Sequence, residues 1–401
     1  MFMNTICRKA NSFLRIIKGR KWGFLWTKIP FLKKSLSLTN FFPHPQNYRY
    51  ILIGGHGLGM TALIYYLEKI GAKPMEIWSH EVIRPFIFYR NFDGLVLDKT
   101  PLNKNAKNIL GTLRKKVPLY QIIRDPISVI KSNVNVTMFQ CISQINSQED
   151  ATNKLFQVIN NNPHIMFYFA STRKLIDHII TDVSYIRMCD IDDKNMPVTL
   201  KNIANRFNYK TNGGGGADNE SVVKGSLFPR CFPHVFNIDG YDFILCTHSR
   251  LQTNSRKEMD TDTNLSEYQK IPKSYTIIKN NIIVKDFPQY PLVLIASSSK
   301  VPPENSIKKT DDCIKQYIDY ALKQIAKHQT FIFTESKIID SLSSNRDFSL
   351  KLAYKIYDEL SFIRREKPEF LAEFIYTQKF LQQYNIDIFS NSTTKDNNES
   401  R

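Results

Sequence analysis

Residues 49–72, RYILIGGHGLGMTALIYYLEKIGA, constrain the fold of this chain more than any other stretch. An unbroken apolar run ends in glycines and passes into a segment whose Leu63, Tyr66, Leu67 and Ile70 recur at helical spacing, closed by Gly71. A buried strand, a glycine turn and a helix in that order make a phosphate cradle. The glycines let backbone N–H groups approach an anion, and the helix start adds about half a positive charge. Gly55, Gly57 and Gly59 are the candidate cradle residues. Gly54 and Gly59 also match the triphosphate-binding pattern G-x-x-x-x-G-K-[ST], and Thr61 fits its last position, but Met60 stands where the lysine belongs. The loop is therefore expected to hold a phosphate whose charge is met from another segment. A dinucleotide loop G-x-G-x-x-G/A fits Gly55 and Gly57, fails at Met60, and would need Glu76 as its ribose-binding acid. A hydrolase elbow would need its nucleophile at Gly57 and is excluded.

Short apolar runs alternating with helical periodicity continue after Pro43 and Pro45, with strands expected at 95–101, 118–126 and 184–191 and a helix at 198–207. This is the pattern of a parallel sheet flanked by helices. Four glycines in NGGGGADNE, residues 212–220, are expected to form a flexible loop or hinge. From 236 the texture shifts to paired strands, with a hairpin at 275–287 turning at Asn280 and Asn281 and a late strand at 290–296. Ile314, Tyr317, Ile318, Ala321, Leu322 and Ile325 follow helical spacing, and 349–366 reads as a second amphipathic helix. The expected organisation is a basic segment at 1–45, an α/β domain at 46–235, a mixed α+β part at 236–390 and a disordered tail at 391–401.

The net charge of +18 is uneven, because residues 1–50 hold ten Lys/Arg and no acid. Between 8 and 34 the basic residues interleave with apolar ones and with Trp22 and Trp26. That mixture suits an anionic membrane surface, where each Lys/Arg near the surface is worth about 1 kcal/mol. A basic helix packed on the protein's own body is the competing reading. Nucleic acid is disfavoured, since no other segment resembles a nucleic-acid module. The six cysteines are scattered, with no C-x-x-C pair and no zinc-like His spacing, so no metal is expected and a reduced, cytoplasmic compartment fits. No apolar run approaches the roughly 20 residues of a bilayer span, and no signal peptide is evident.

The segment IIRDPISVIKSNVN, residues 122–135, is the second candidate phosphate-binding element. Arg124 ends a strand, Pro126 starts a helix, and Ser132 follows eight residues after the arginine. An arginine fork and a hydroxyl so placed can close on one phosphate. The plainer alternative is an Arg124–Asp125 surface pair with a helix cap.

Together these segments resemble the sulfotransferases that use 3′-phosphoadenosine 5′-phosphosulfate. In that superfamily a loop after the first strand cradles the 5′-phosphosulfate, and GGHGLGMTAL is similar to it. An R-x-P-like turn with a serine eight residues on binds the 3′-phosphate, as Arg124 and Ser132 would here. LDKTP resembles the lysine-bearing strand end beside the acceptor, and residues 184–207 resemble the late strand and helix. The likeness spans about 46–235. The whole chain also resembles a bacterial family known only as domain of unknown function 2972, which implies no activity.

The resemblance implies that Gly55, Gly57, Gly59, Met60, Thr61, Arg124 and Ser132 bind the nucleotide. It adds a late Lys/Arg-Gly loop near the 3′-phosphate, for which Lys224, Gly225, Ser226 and Arg230 are the candidates. Loops of this superfamily usually carry Lys or Arg where this chain has Gly57, so His56 and Lys99 are the candidates for the cation at the leaving oxygen. Glu81, followed by Arg84 and Pro85, is similar to the glutamate segment of tyrosyl-protein sulfotransferases and is the first candidate base, with His80 the second. The expected function is sulfuryl transfer to a hydroxyl of a glycan or lipid-linked sugar. The rivals are a glycosyltransferase or other nucleotide-dependent enzyme of surface-polysaccharide synthesis, and a catalytically silent nucleotide- or glycan-binding protein. A dinucleotide-dependent oxidoreductase is disfavoured by Met60.

Overall fold

The computed structural model describes residues 46–55, 57–77, 92–98, 110–111, 113–161, 169–192, 194–209, 227–248, 274–298 and 300–390. They divide into two compact units. The first draws on residues before 135, on 155–222 and on 333 onward, and the second on 135–154 and 223–332.

In the first unit β1 (Tyr50–Gly54), β2 (Pro74–Ile77), β3 (Gly94–Asp98), β4 (Val117–Ile123) and β5 (Ile180–Arg187) form one parallel sheet in the order β2-β3-β1-β4-β5. Every residue of β1 is buried, as expected of a parallel strand with both faces covered. Ile51, Ile53, Leu95, Leu97 and Leu119 pack with Tyr48, Ile176 and Ile179. The chain leaves β1 for β2 and β3 on one side and later enters β4 on the other. The carboxyl end of β1 is therefore the point where strand order reverses, which is where open α/β sheets bind ligands.

The helices in chain order are α1 (Met60–Lys69), α2 (Pro126–Gln140), α3 (Gln148–Asn161), α4 (Phe169–Lys174), α5 (Met196–Phe207), α6 (Glu304–Phe331), α7 (Glu335–Ser343), α8 (Arg346–Glu359), α9 (Ser361–Glu366), α10 (Pro368–Leu371) and α11 (Ile375–Gln382). Helices α7 to α11 belong to the first unit, whereas the sequence grouped them with the C-terminal part. Polar ties hold them there. Glu359 accepts the Ala170 and Ser171 N–H groups at 2.8 and 3.1 Å. Glu366 accepts two nitrogens of buried Arg173 at 2.7 and 2.8 Å and the Tyr185 hydroxyl at 2.9 Å.

The second unit carries an antiparallel sheet, β6 (His234–Ile238), β7 (Tyr241–Thr247), β8 (Tyr275–Ile282) and β9 (Leu292–Ser297), in the order β6-β7-β9-β8. Phe243, Leu245, Leu292 and Leu294 form its core with Phe228, Ile314, Tyr317 and Leu322. The parallel α/β unit and the mixed α+β part read from the sequence are both present.

Three local expectations are corrected. Asn280 and Asn281 do not turn a hairpin; β8 runs through them and pairs with β9. Lys279 faces Leu294 while Ile282 faces Leu292, so one extra residue is accommodated as a bulge, with Asn281 at φ 57. Asparagine tolerates that left-handed conformation in a bulge as well as in a turn. The segment 184–191 is strand only to Arg187; Met188–Ile191 is a 3-10 turn, closed by Asp190 accepting the Arg187 N–H at 2.8 Å. The helix expected over 349–366 breaks at Leu360, which separates the Glu359 contact with α4 from the Glu366 contact with Arg173.

Burial pushes the Glu366 carboxyl up, but the hydrogen bonds from Arg173, Arg365 and Tyr185 outweigh it and hold the group below its ordinary 4.5. A depressed carboxyl contributes stability above its unfolded pKa and loses it as pH falls through the folded value. Urea unfolding free energies measured down to about pH 3 should therefore fall more steeply below about pH 4.5 in wild type than in Glu366→Gln. Parallel profiles would remove this network from the account.

Candidate functional site

The turn between β1 and α1 is shaped by two glycines. Gly57 and Gly59 both take φ 82, a conformation that L side chains rarely adopt. Space is equally restrictive. A Cβ on Gly57 would lie 3.1 Å from Ser132 Cβ and 3.3 Å from Asn133 Nδ2, and one on Gly59 would collide with Ile191. The loop is thus pressed between α2 and the 3-10 turn after β5, with Leu58 buried beneath it.

Helix α1 starts without a side-chain cap, and its first intrahelical bond runs from Leu63 N to Gly59 O at 3.1 Å. The N–H groups of Met60, Thr61 and Ala62 precede that bond, as the orphan donors of a helix start do. Thr61 is exposed and Gly55 half-buried. The Met60 side chain turns inward: it is 3% exposed, and its Cε occupies the place a Cβ on Gly54 would need. Only the Met60 backbone can serve an anion.

Arg124, at the end of β4, ties this loop to α2. Its Nη1 donates to the Gly57 carbonyl at 2.6 Å and to Ser132 Oγ at 3.1 Å. Both bonds use Nη1, so among the described residues Nη2 and Nε have no partner and no carboxylate lies within ion-pair distance. Burial pushes the Arg124 pKa down, against the charges of Glu335 and Asp125. The Ser132 hydroxyl donates to the Ser128 carbonyl at 3.0 Å. A ligand that takes its proton must compete with that carbonyl.

Asp125 does not form the surface pair with Arg124 that the plainer alternative required. It is 8% exposed and serves two helix starts. Oδ1 accepts the Ile127 N–H at 2.9 Å, the Ser128 N–H at 3.4 Å and the Thr377 hydroxyl at 2.7 Å. Oδ2 accepts the N–H groups of Tyr376 at 3.0 Å and Thr377 at 3.2 Å. Burial pushes this carboxyl above its ordinary range, against the pull of the Thr377, Ile127 and Tyr376 bonds.

One turn further along α2, Ser128 Oγ and Lys131 Nζ both donate to Glu335 Oε1, at 2.9 and 2.6 Å. Burial pushes the Glu335 carboxyl up; the bonds from Lys131, its own backbone and Ser128 bring it below its ordinary value. Sequence reasoning missed these three residues. Ser128, Lys131 and Ser132 share a helix face by spacing alone, but nothing local points to Glu335.

The structure thus brings Gly57, Gly59, Arg124 and Ser132 together at the carboxyl ends of β1 and β4. Arg230 lies in the second unit, exposed in the 3-10 turn Phe228–Cys231, where partial desolvation pushes its pKa down. His56, His80, Glu81, Lys99, Lys224, Gly225, Ser226 and the basic segment 8–34 lie outside the described residues. An open pocket of about 360 Å³, lined by Gln378, Gln382, Asn385 and Phe389 among others, contains none of the cradle residues. Among the described residues no helix is long and apolar enough to cross a membrane. No family model, curated protein or solved structure matches the chain.

Asp125→Ala removes caps from two helices, each worth about 1 kcal/mol, together with a buried hydroxyl bond; the urea midpoint should report a loss of about 2–4 kcal/mol at unchanged m. Gly59→Ala should cost about 1–3 kcal/mol by the same measurement, since positive φ and contact with Ile191 both oppose a methyl group.

Proposed function

We propose that the first unit binds a phosphorylated nucleotide and that the chain is a sulfotransferase-like transferase. It would move a sulfuryl group from 3′-phosphoadenosine 5′-phosphosulfate to a hydroxyl of a glycan or lipid-linked sugar. The observation that carries this reading is Arg124: from the end of β4 it reaches both the glycine loop and Ser132, with Nη2 and Nε still unpartnered among the described residues. The loop backbone, pressed where no Cβ fits, suits one phosphate, and Arg124 with Ser132 suits a second.

In this reaction the bond from sulfur to the bridging phosphate oxygen breaks as sulfur bonds the acceptor oxygen, and adenosine 3′,5′-bisphosphate departs. The acceptor proton needs a base, the role proposed for Glu81 or His80. Charge on the leaving oxygen needs a cation, proposed as His56 or Lys99. A cytoplasmic location, with residues 8–34 against an anionic membrane that presents the acceptor, belongs to the same proposal.

One observation favours a second reading. With Met60 turned into the core and Gly57 in the usual place of a cation, the described part of the loop offers no positive side chain. A nucleotide-binding protein without catalysis fits that loop.

Calorimetric titration with adenosine 3′,5′-bisphosphate, NAD and sugar nucleotides separates these readings from dinucleotide and sugar-nucleotide enzymes. The bisphosphate should bind, and Arg124→Ala should weaken it about 10- to 100-fold, the cost of one charge-assisted contact of about 1.5–3 kcal/mol. No binding by wild type, or an unchanged affinity in the variant, would sink the proposal. Binding without turnover of labelled donor across an acceptor panel would select the silent reading.

A further inference from the structure

The α2 face that carries Ser132 also carries Ser128 and Lys131, because residues three and four apart stack on one side of a helix. Both side chains aim at a single oxygen, Glu335 Oε1, at the start of α7. A hydroxyl and an ammonium converging on one oxygen are the donor set of a phosphate oxygen. Here a carboxylate of the same chain takes that place. Lys131 and Glu335 are 25% and 15% exposed, shielded enough to interact and open enough for solvent to reach. Glu335 is also close enough for its charge to act on Arg124.

We propose that Ser128 and Lys131 form a second anion subsite continuous with Arg124 and Ser132, and that Glu335 is its built-in placeholder, displaced when a phosphorylated nucleotide binds. This rests on the nucleotide-binding reading above. No covalent bond changes. The carboxylate passes to water, and phosphate oxygens take over its two donors. The placeholder has a physical use: it keeps Lys131 and the Ser128 hydroxyl bonded in the free protein. It also opposes weakly charged anions, since only a ligand bearing more than one charge gains enough to displace it. Glu335 thereby sets the threshold of the site.

The test is calorimetric titration of the full chain with adenosine 3′,5′-bisphosphate at fixed salt, for wild type, Glu335→Gln, Lys131→Gln and the double variant, with melting temperatures beside each. Glu335→Gln keeps the side-chain shape and removes the charge. It should bind about three- to tenfold more tightly, the size of one partly screened charge. Lys131→Gln should bind about three- to tenfold more weakly, and its cost should be larger in the Glu335→Gln background, where Lys131 is no longer held. A merely structural ion pair would lower both melting temperatures and leave affinity uncoupled. Wild-type binding with an unchanged or weaker Glu335→Gln overturns the placeholder alone, and absent wild-type binding overturns it together with the nucleotide reading. If Glu335→Gln does not fold, the Lys131→Gln arm decides: unchanged affinity there overturns the subsite.

Discussion

The first unit is organised around one carboxylate. Asp125 accepts five hydrogen bonds, two of them from the start of α2 and three from α11, including the Thr377 hydroxyl. Helix starts present N–H groups that no intrahelical carbonyl can take, and leaving them buried without a partner is costly. One side chain serving two such starts fixes the position of α2 and, with it, the face that carries Ser128, Lys131 and Ser132. It also aims its neighbour. With Asp125 turned toward the helices, Arg124 is left to reach across to the Gly57 carbonyl.

Arg124 consequently has two roles that draw on different edges of the same guanidinium. Nη1 holds the glycine loop to α2, and under the proposed function the remaining nitrogens, unpartnered among the described residues, would meet the nucleotide. The rest of the local charge is balanced within the chain. Lys131 answers Glu335, and the Met60 position contributes a buried thioether instead of an ammonium. Among the described residues, a cradle so built would rely on backbone N–H groups and a single arginine. That composition fits anion binding better than it fits charge stabilisation during hydrolysis, where the cation normally sits in the loop itself.

Much of this was legible because it rests on short-range spacing. The apolar run of β1, the paired glycines, and Pro126 after Arg124-Asp125 each specify local conformation. The eight-residue step from Arg124 to Ser132 spans only a strand end and two helical turns. The inward turn of Met60 was not read from the sequence, which set Leu63, Tyr66, Leu67 and Ile70 on the apolar face and Met60 among the nucleotide-binding residues; the structure puts Met60 with Leu63, Ile64 and Leu67 on the buried face. The hairpin reading at Asn280 and Asn281 failed because asparagine with positive φ serves turns and bulges alike. Strand partners decide between them, and Leu294 and Leu292 are outside the local window.

The sequence by itself determined the strand-and-helix alternation of a parallel α/β unit, the glycine turn between β1 and α1 and the step from Arg124 to Ser132, because each follows from periodicity or backbone restriction within a few residues; that Arg124 reaches Gly57, 67 residues away, was decided by the strand order. Only the tertiary structure decided that helices α7 to α11 return to the first unit, that Asp125 caps rather than pairs with Arg124, and that Glu335 meets Ser128 and Lys131. Those contacts join groups about two hundred residues or more apart in the chain, as Ser128 with Glu335 and Asp125 with Thr377 show. A carboxylate in a sequence does not say which distant helix start or ammonium it will meet; that depends on which buried donors the folded chain leaves without any other acceptor.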